Sequence, residues 1–159
     1  DPQYAAAYSN RGTAKGQLKD FQGAIVDYSK ALAINPQNVA AYNGRGLAKN
    51  DLGDYQEAIA DFTKAIAIDP QLASAYYNRG VAKNKSKDNQ GAIADYSKAI
   101  EINQQHDGAY HNRGISKILL NDKKGACSDW NKSLSLGNKA TERMFADPKL
   151  DLAWCRNMR

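Results

Sequence analysis

Only two cysteines occur in the chain, Cys127 and Cys155, and their separation does not match the paired spacing of a structural metal site. Two are also too few for the disulfide framework of a small secreted domain, which leans the reading toward a reducing, cytoplasmic setting. Apolar runs never exceed a few residues, so no membrane-spanning helix is expected. No basic-then-apolar leader is visible, although the first residue is Asp1 and not Met. The sequence contains no phosphate-binding loop, dinucleotide fingerprint or nucleophile elbow. Neither sign of charge dominates: 22 basic against 17 acidic residues leave a net +5. What is present is foldable, with 42% hydrophobic and 25% charged residues in 159, the size of one domain.

A period organises the chain. Asn10-Arg11-Gly12, Gly44-Arg45-Gly46, Asn78-Arg79-Gly80 and Asn112-Arg113-Gly114 recur every 34 residues. The units are residues 5–38, 39–72, 73–106 and 107–140, flanked by 1–4 and 141–159. Each unit reads as two antiparallel helices. In the second unit, Ala41 to Leu52 carries small and apolar residues at helical spacing, and Tyr55 to Ile68 carries an apolar stripe. Asp20, Asp54, Asp88 and Asp122 precede the second helices and are expected to cap them, with Glu57 completing a capping box at Asp54. Pro36 and Pro70 mark exits.

These residues resemble tetratricopeptide repeats. Gly12, Gly46, Gly80 and Gly114 match the small residue of that family's first helix, and Ala24, Ala58, Ala92 and Ala126 its alanine. Tyr28, Phe62, Tyr96 and Trp130 match its second-helix aromatic. The consistent Asn-Arg-Gly flavour is similar to arrays common in bacteria. The resemblance implies an all-α, right-handed superhelical solenoid of four helix-turn-helix repeats, with a C-terminal capping helix. Asp147-Pro148 predicts the start of that helix, over 149–158, with Leu150, Leu152, Ala153 and Trp154 covering the edge of repeat 4. Asp1-Pro2-Gln3-Tyr4 matches the register of Asp69-Pro70-Gln71-Leu72, so the chain is expected to open on the closing turn of a preceding repeat.

The resemblance also assigns the concave face to the first helices. From it, a partner-binding set is expected at Asn10, Asn43, Leu47, Asn50, Tyr77, Asn78, Val81, Asn84, Lys85, His111, Asn112 and Ile115. Amides both donate and accept, so a column such as Asn10, Asn78 and Asn112 suits an extended peptide backbone, with Gly44 breaking the column. That column resembles the asparagine ladder in the repeat arm of a glycosyltransferase acting on Ser and Thr. The competing reading is that these asparagines only cap or solvate a helix face. The cations with which some members grip a chaperone's C-terminal carboxylate are missing: the equivalent positions are Ser9, Thr13, Gly44, Ser74 and Asn78, or one repeat later Asn43, Leu47, Asn78, Gly108 and Asn112.

Arg11, Arg45, Arg79 and Arg113 each precede an aspartate by sixteen residues, at Asp27, Asp61, Asp95 and Asp129. A structural ion pair is the expectation, with Lys30, Lys64, Lys98 and Lys132 sharing the carboxylates. His106 and His111 are too loosely spaced for a metal site and are read as solvated or groove-lining, and Cys127 as a small core residue. The charge excess lies in repeats 3 and 4 without an aromatic-basic stripe, which argues against nucleic acid. The function expected is a non-enzymatic protein-interaction scaffold needing no cofactor or metal. Alternatives are a substrate-recruiting or regulatory arm of a larger enzyme, and a module that self-associates through its apolar ends.

Overall fold

A computed structural model describes residues 2–147, 150 and 152–156. Among them are ten helices and no strand. They are α1 (Pro2–Gln17), α2 (Phe21–Ile34), α3 (Val39–Leu52), α4 (Tyr55–Ile68), α5 (Ala73–Lys85), α6 (Asn89–Ile102), α7 (Asp107–Leu119), α8 (Lys123–Ser135), α9 (Lys139–Ala146) and α10 (Ala153–Arg156). Each odd-numbered helix from α1 to α7 packs on the helix that follows it, and each pair packs on the next, building a solenoid. The core has one element per repeat. An aromatic ring of the second helix lies on the glycine of the first: Tyr28 on Gly12, Phe62 on Gly46, Tyr96 on Gly80 and Trp130 on Gly114. A methyl group on Gly46 would stand 2.7 Å from Phe62, so only glycine admits the ring there.

Local signals act largely as the sequence predicts. Asp20, Asp88 and Asp122 accept hydrogen bonds from the amides of Gly23, Gly91 and Gly125 at 2.8–2.9 Å. Asp54 departs from this, because it makes no side-chain cap bond and the expected capping box with Glu57 does not form. Glu57 instead pairs with Lys49 at 3.1 Å. The reason is steric: in the other repeats the carboxylate folds over a glycine, where any Cβ would collide with it. The described residues also begin in helix. Pro2 to Tyr4 belong to α1 and do not adopt the closing turn expected of them; a proline in a first helical turn forfeits no intrahelical bond.

The Arg–Asp expectation holds in all four repeats, as two-pronged pairs. Arg11 meets Asp27 at 2.7 and 2.7 Å, and Arg45 meets Asp61 at 2.9 and 2.7 Å. Arg79–Asp95 and Arg113–Asp129 repeat the geometry. The lysines that share these carboxylates are Lys15, Lys49, Lys83 and Lys117, at 2.8–2.9 Å. This corrects the assignment to Lys30, Lys64, Lys98 and Lys132. Lys15 and its equivalents lie one turn beyond each arginine on the helix facing the aspartate, whereas Lys30 lies over the ring of Tyr8 and Lys98 pairs with Glu101. The arginines also join repeats. Arg45, Arg79 and Arg113 donate to Ser29, Thr63 and Ser97 of the preceding repeat at 3.0–3.1 Å.

The Arg11 guanidinium holds the Asp27 carboxyl well below the usual carboxylate range, with Lys15 assisting, against burial that pushes it up. Its contribution to stability is therefore complete above the unfolded-state value and is lost as pH falls toward the folded one. Urea unfolding followed through the acid range should show stability declining below about pH 4. Asp27→Asn should flatten that decline, and an unchanged acid limb would remove this role for the pair.

The C-terminal end departs from the period. Asn138 caps α9 by accepting from the Thr141 amide at 2.8 Å, just as Asn38 accepts from Ala41. Thr141 thus fills the buried place of Ala41, Ala75 and Ala109, two residues earlier than a 34-residue step would put it. The helix expected over 149–158 is observed only as α10; Pro148, Lys149, Asp151 and residues 157–159 lie outside the described residues. Trp154 does meet the edge of repeat 4, its ring centroid 6.4 Å from that of Trp130, while Leu150 is exposed. Cys127 is buried, as expected of a core residue, but it is not a free thiol. It forms a disulfide with Cys155. Two cysteines are too few for a disulfide framework, and the sequence alone does not foresee this single bond.

Candidate partner-binding groove

Successive first helices touch one another across repeats, α1 with α3, α3 with α5 and α5 with α7, which puts them on the inner side of the curve. Among the described residues, two cavities are found there. One, of about 280 Å³, lies between α1 and α3 and is lined by Thr13, Gln17, Phe21, Tyr28, Leu47 and Asp51 among others. The second, of about 200 Å³, lies between α5 and α7 and is lined by Val81, Asn84, Lys85, Tyr96, Asn112 and Ile115. The apolar strip expected at Leu47, Val81 and Ile115 is thus distributed over both, with Leu47 at 40% exposure and the other two half-buried.

The asparagines do more than line a wall. The Asn78 amide donates to Asn43 Oδ1 at 3.2 Å, and the Asn112 amide donates to the Tyr77 hydroxyl at 3.0 Å. Each bond runs from one repeat to the preceding one, so the column sews first helices together. Asn84 spends its amide protons on Asn89 Oδ1 at 3.1 Å and Ser116 Oγ at 2.8 Å. Asn50 stands at the equivalent place one repeat earlier, where Ser116 is replaced by Ala82, and its buried Oδ1 has no partner among the described residues. Asn10 is exposed on α1 and Lys85 on α5.

Tyr77 is half-buried, its ring centroid 4.6 Å from that of His106 and 5.8 Å from that of Tyr96, and burial pushes its hydroxyl pKa up. It belongs chiefly to the joint between repeats 3 and 4. The histidines are less solvated than expected. His106 caps α7 through Nδ1, accepting from the Ala109 amide at 3.2 Å, and His111 Nδ1 meets Thr141 Oγ1 at 2.7 Å. Burial lowers both imidazole pKa values, against the opposing pull of Asp107. No cluster of metal-ligating side chains occurs among the described residues.

The contributors that sequence reasoning missed are Phe21, Tyr28 and Tyr96, second-helix aromatics that reach the inner face between first helices. A signal existed in Gly44. Its Cβ, were there one, would overlap the Tyr28 phenol, with Cε1 at 2.8 Å, and the same ring is pinned on its other side by Gly12 and by a 3.0 Å hydrogen bond to Thr13. Gly44 interrupts the asparagine column because Tyr28 occupies that space. Restoring the column with Gly44→Asn should therefore cost about 1–3 kcal/mol of stability through overpacking. A denaturation midpoint indistinguishable from wild type would show that the ring is free to swing aside.

Family profiles of the tetratricopeptide repeat match residues 5–38, 73–106 and 28–60, and a further TPR repeat profile matches 48–86. No curated protein matches the chain in sequence. Among solved structures, MamA is 27% identical with a TM-score of 0.84, over 100% of this chain and 86% of that one. The Sgt2 TPR domain from Aspergillus fumigatus is 26% identical with a TM-score of 0.71, over 74% and 80%. The first TPR of Spaghetti (RPAP3), bound to the HSP90 peptide SRMEEVD, is 23% identical with a TM-score of 0.75, over 76% and 96%.

Proposed function

We propose that this chain, which belongs to the tetratricopeptide repeat family, is a non-catalytic scaffold that holds an extended segment of a partner protein in its concave groove. The observation that carries the reading is the inner face itself. Leu47, Val81 and Ile115 remain partly uncovered there and open into two cavities, on a framework whose repeating charges are paired internally. Uncovered apolar surface that lines concave pockets marks a binding site more often than a structural one. A similar fold seats the peptide SRMEEVD in the first TPR of Spaghetti. A carboxylate-gripping mode is not part of the reading here, since Ser9, Thr13, Gly44, Ser74 and Asn78 offer no cation.

The test compares partner capture from lysate by wild type, by Leu47→Asp/Val81→Asn in the groove, and by Val26→Asp on the exposed face of α2. The groove variant should lose recovery by about tenfold or more, as expected when central apolar contacts are removed. Val26→Asp should bind as wild type does. Equal recovery by all three folded proteins would remove the groove.

A further inference from the structure

The first helices carry eleven charged side chains, and the structure commits nearly all of them. Arg11, Arg45, Arg79 and Arg113, with Lys15, Lys49, Lys83 and Lys117, are bound to the second-helix aspartates. Asp107 accepts from the Asn138 amide at 2.8 Å. Two remain: Asp51 on α3 and Lys85 on α5, which make no ion pair among the described residues. They occupy the same place in adjacent repeats, both are exposed, and each stands at one of the two cavities, Asp51 at the first and Lys85 at the second. Gln17 and Leu119, their uncharged equivalents, sit in the outer repeats.

From this we infer that the groove reads a partner segment with opposite charges at two anchor positions, a basic side chain in the first cavity and an acidic one in the second. The inference rests on the groove reading above. In the first cavity, the stem of a lysine or arginine lies along Leu47 and Phe21, with its cation shared between Asp51 and the Tyr28 ring. In the second, the stem of a glutamate lies along Val81 and Ile115, and its carboxylate meets Lys85. The two charges, Asp51 on α3 and Lys85 on α5, stand one repeat apart. Neighbouring helices are spaced by about 8–10 Å. An extended chain advances about 3.3 Å per residue, so the charged anchors stand about three residues apart. Charge placement of this kind sets register and excludes wrong partners more than it adds affinity.

An array of end-blocked twelve-residue peptides on a serine-alanine background tests it. Two positions, separated by three to eight residues, carry every pairing of Lys, Glu and Gln. The full chain is applied as wild type, Asp51→Lys and Lys85→Glu, each checked for an unchanged melt. Wild type should favour Lys/Glu spots at separations of about three or four over Lys/Lys or Glu/Glu by about three- to tenfold. Asp51→Lys should move the preference to Glu/Glu, and Lys85→Glu to Lys/Lys, whichever way the peptide runs. One ranking shared by all three proteins, a like-charged preference in wild type, or no spot above the Gln/Gln background would each overturn the inference. The groove reading is judged separately by the Leu47→Asp/Val81→Asn capture, so a failed array with a positive capture removes only the charge pattern.

Discussion

Asp95→Ala is expected to lower the unfolding free energy by about 3–5 kcal/mol, the usual result of stranding a buried charge partner. Asp95 is 4% exposed and accepts from Arg79 Nε at 2.9 Å, Arg79 Nη2 at 2.7 Å and Lys83 Nζ at 2.9 Å. The two cations it neutralises are themselves only 17% and 21% exposed, so water cannot replace the lost carboxylate. Arg79 is further held by Thr63 of the preceding repeat and by the Tyr76 ring, 5.6 Å from its guanidinium carbon. It is not free to swing into solvent. The equivalent change at the N-terminal end should be milder. Arg11 is 55% exposed and, unlike the other three arginines, has no repeat before it among the described residues to supply a hydroxyl. Asp27→Ala should therefore cost roughly half as much.

Urea unfolding followed by helical circular dichroism measures both changes. The triple variant Arg79→Met/Lys83→Met/Asp95→Leu should recover most of the loss, because apolar side chains of similar volume leave no unpaired charge. A loss below about 1 kcal/mol for Asp95→Ala would mean that the pair is ornamental. Equal losses at Asp27 and Asp95 would mean that burial within the array does not set its value.

The second large effect is expected at the other end of the array. The Cys127–Cys155 disulfide closes a loop with a sequence separation of 28, for which chain entropy suggests a stabilisation of about 3.5 kcal/mol. Cys127 occupies on α8 the place held by Ile25, Ile59 and Ile93 on α2, α4 and α6. In those repeats a following first helix of 13 or 14 residues packs against the second helix. After α8 the following helix is α9, with only 8 residues. The remainder of α8 is met by α10, a single turn that would have little hold without a covalent link. The Trp154 ring adds contacts to Trp130 and Lys123.

Intact mass under non-reducing conditions should be lighter by two hydrogens than after reduction, which establishes the bond directly. Reduction, or Cys127→Ser/Cys155→Ser, should lower stability by about 2–4 kcal/mol and shift tryptophan emission to the red as Trp130 and Trp154 gain water. The unfolding of α1 to α6 should change little, since repeat arrays couple mainly between neighbours. Two reduced thiols in freshly purified protein, with stability unaffected by reductant, would remove this staple.

How far each feature was legible depended on where its partner lay. The glycine-on-aromatic packing and the Arg–Asp pairs connect positions at a constant offset within a repeat, so four registered copies exposed them. The lysine choice failed because Lys30 is near Asp27 along the chain whereas Lys15 comes near it only across the α1–α2 contact, which the relative rotation of the two helices decides. The capping box at Asp54 failed on a side-chain detail, the glycine that the other caps fold over. Within the candidate groove, Leu47, Val81 and Ile115 were readable from their register. The hydrogen bonds of Asn78 and Asn112 were not, because they cross from one repeat to the next.

The sequence by itself determined the all-helical architecture, the four repeats, most caps and the internal neutralisation of charge. These rest on backbone propensity and on contacts at a fixed separation, which a periodic chain writes out several times. Tertiary structure alone decided that Tyr28 displaces an asparagine at Gly44, that two cavities open between first helices, and that Cys127 reaches Cys155. Those depend on how one helix pair is rotated against the next, and on a C-terminal end where the period stops. Where the repeat breaks, no second copy remains to compare, and contact geometry is the only guide.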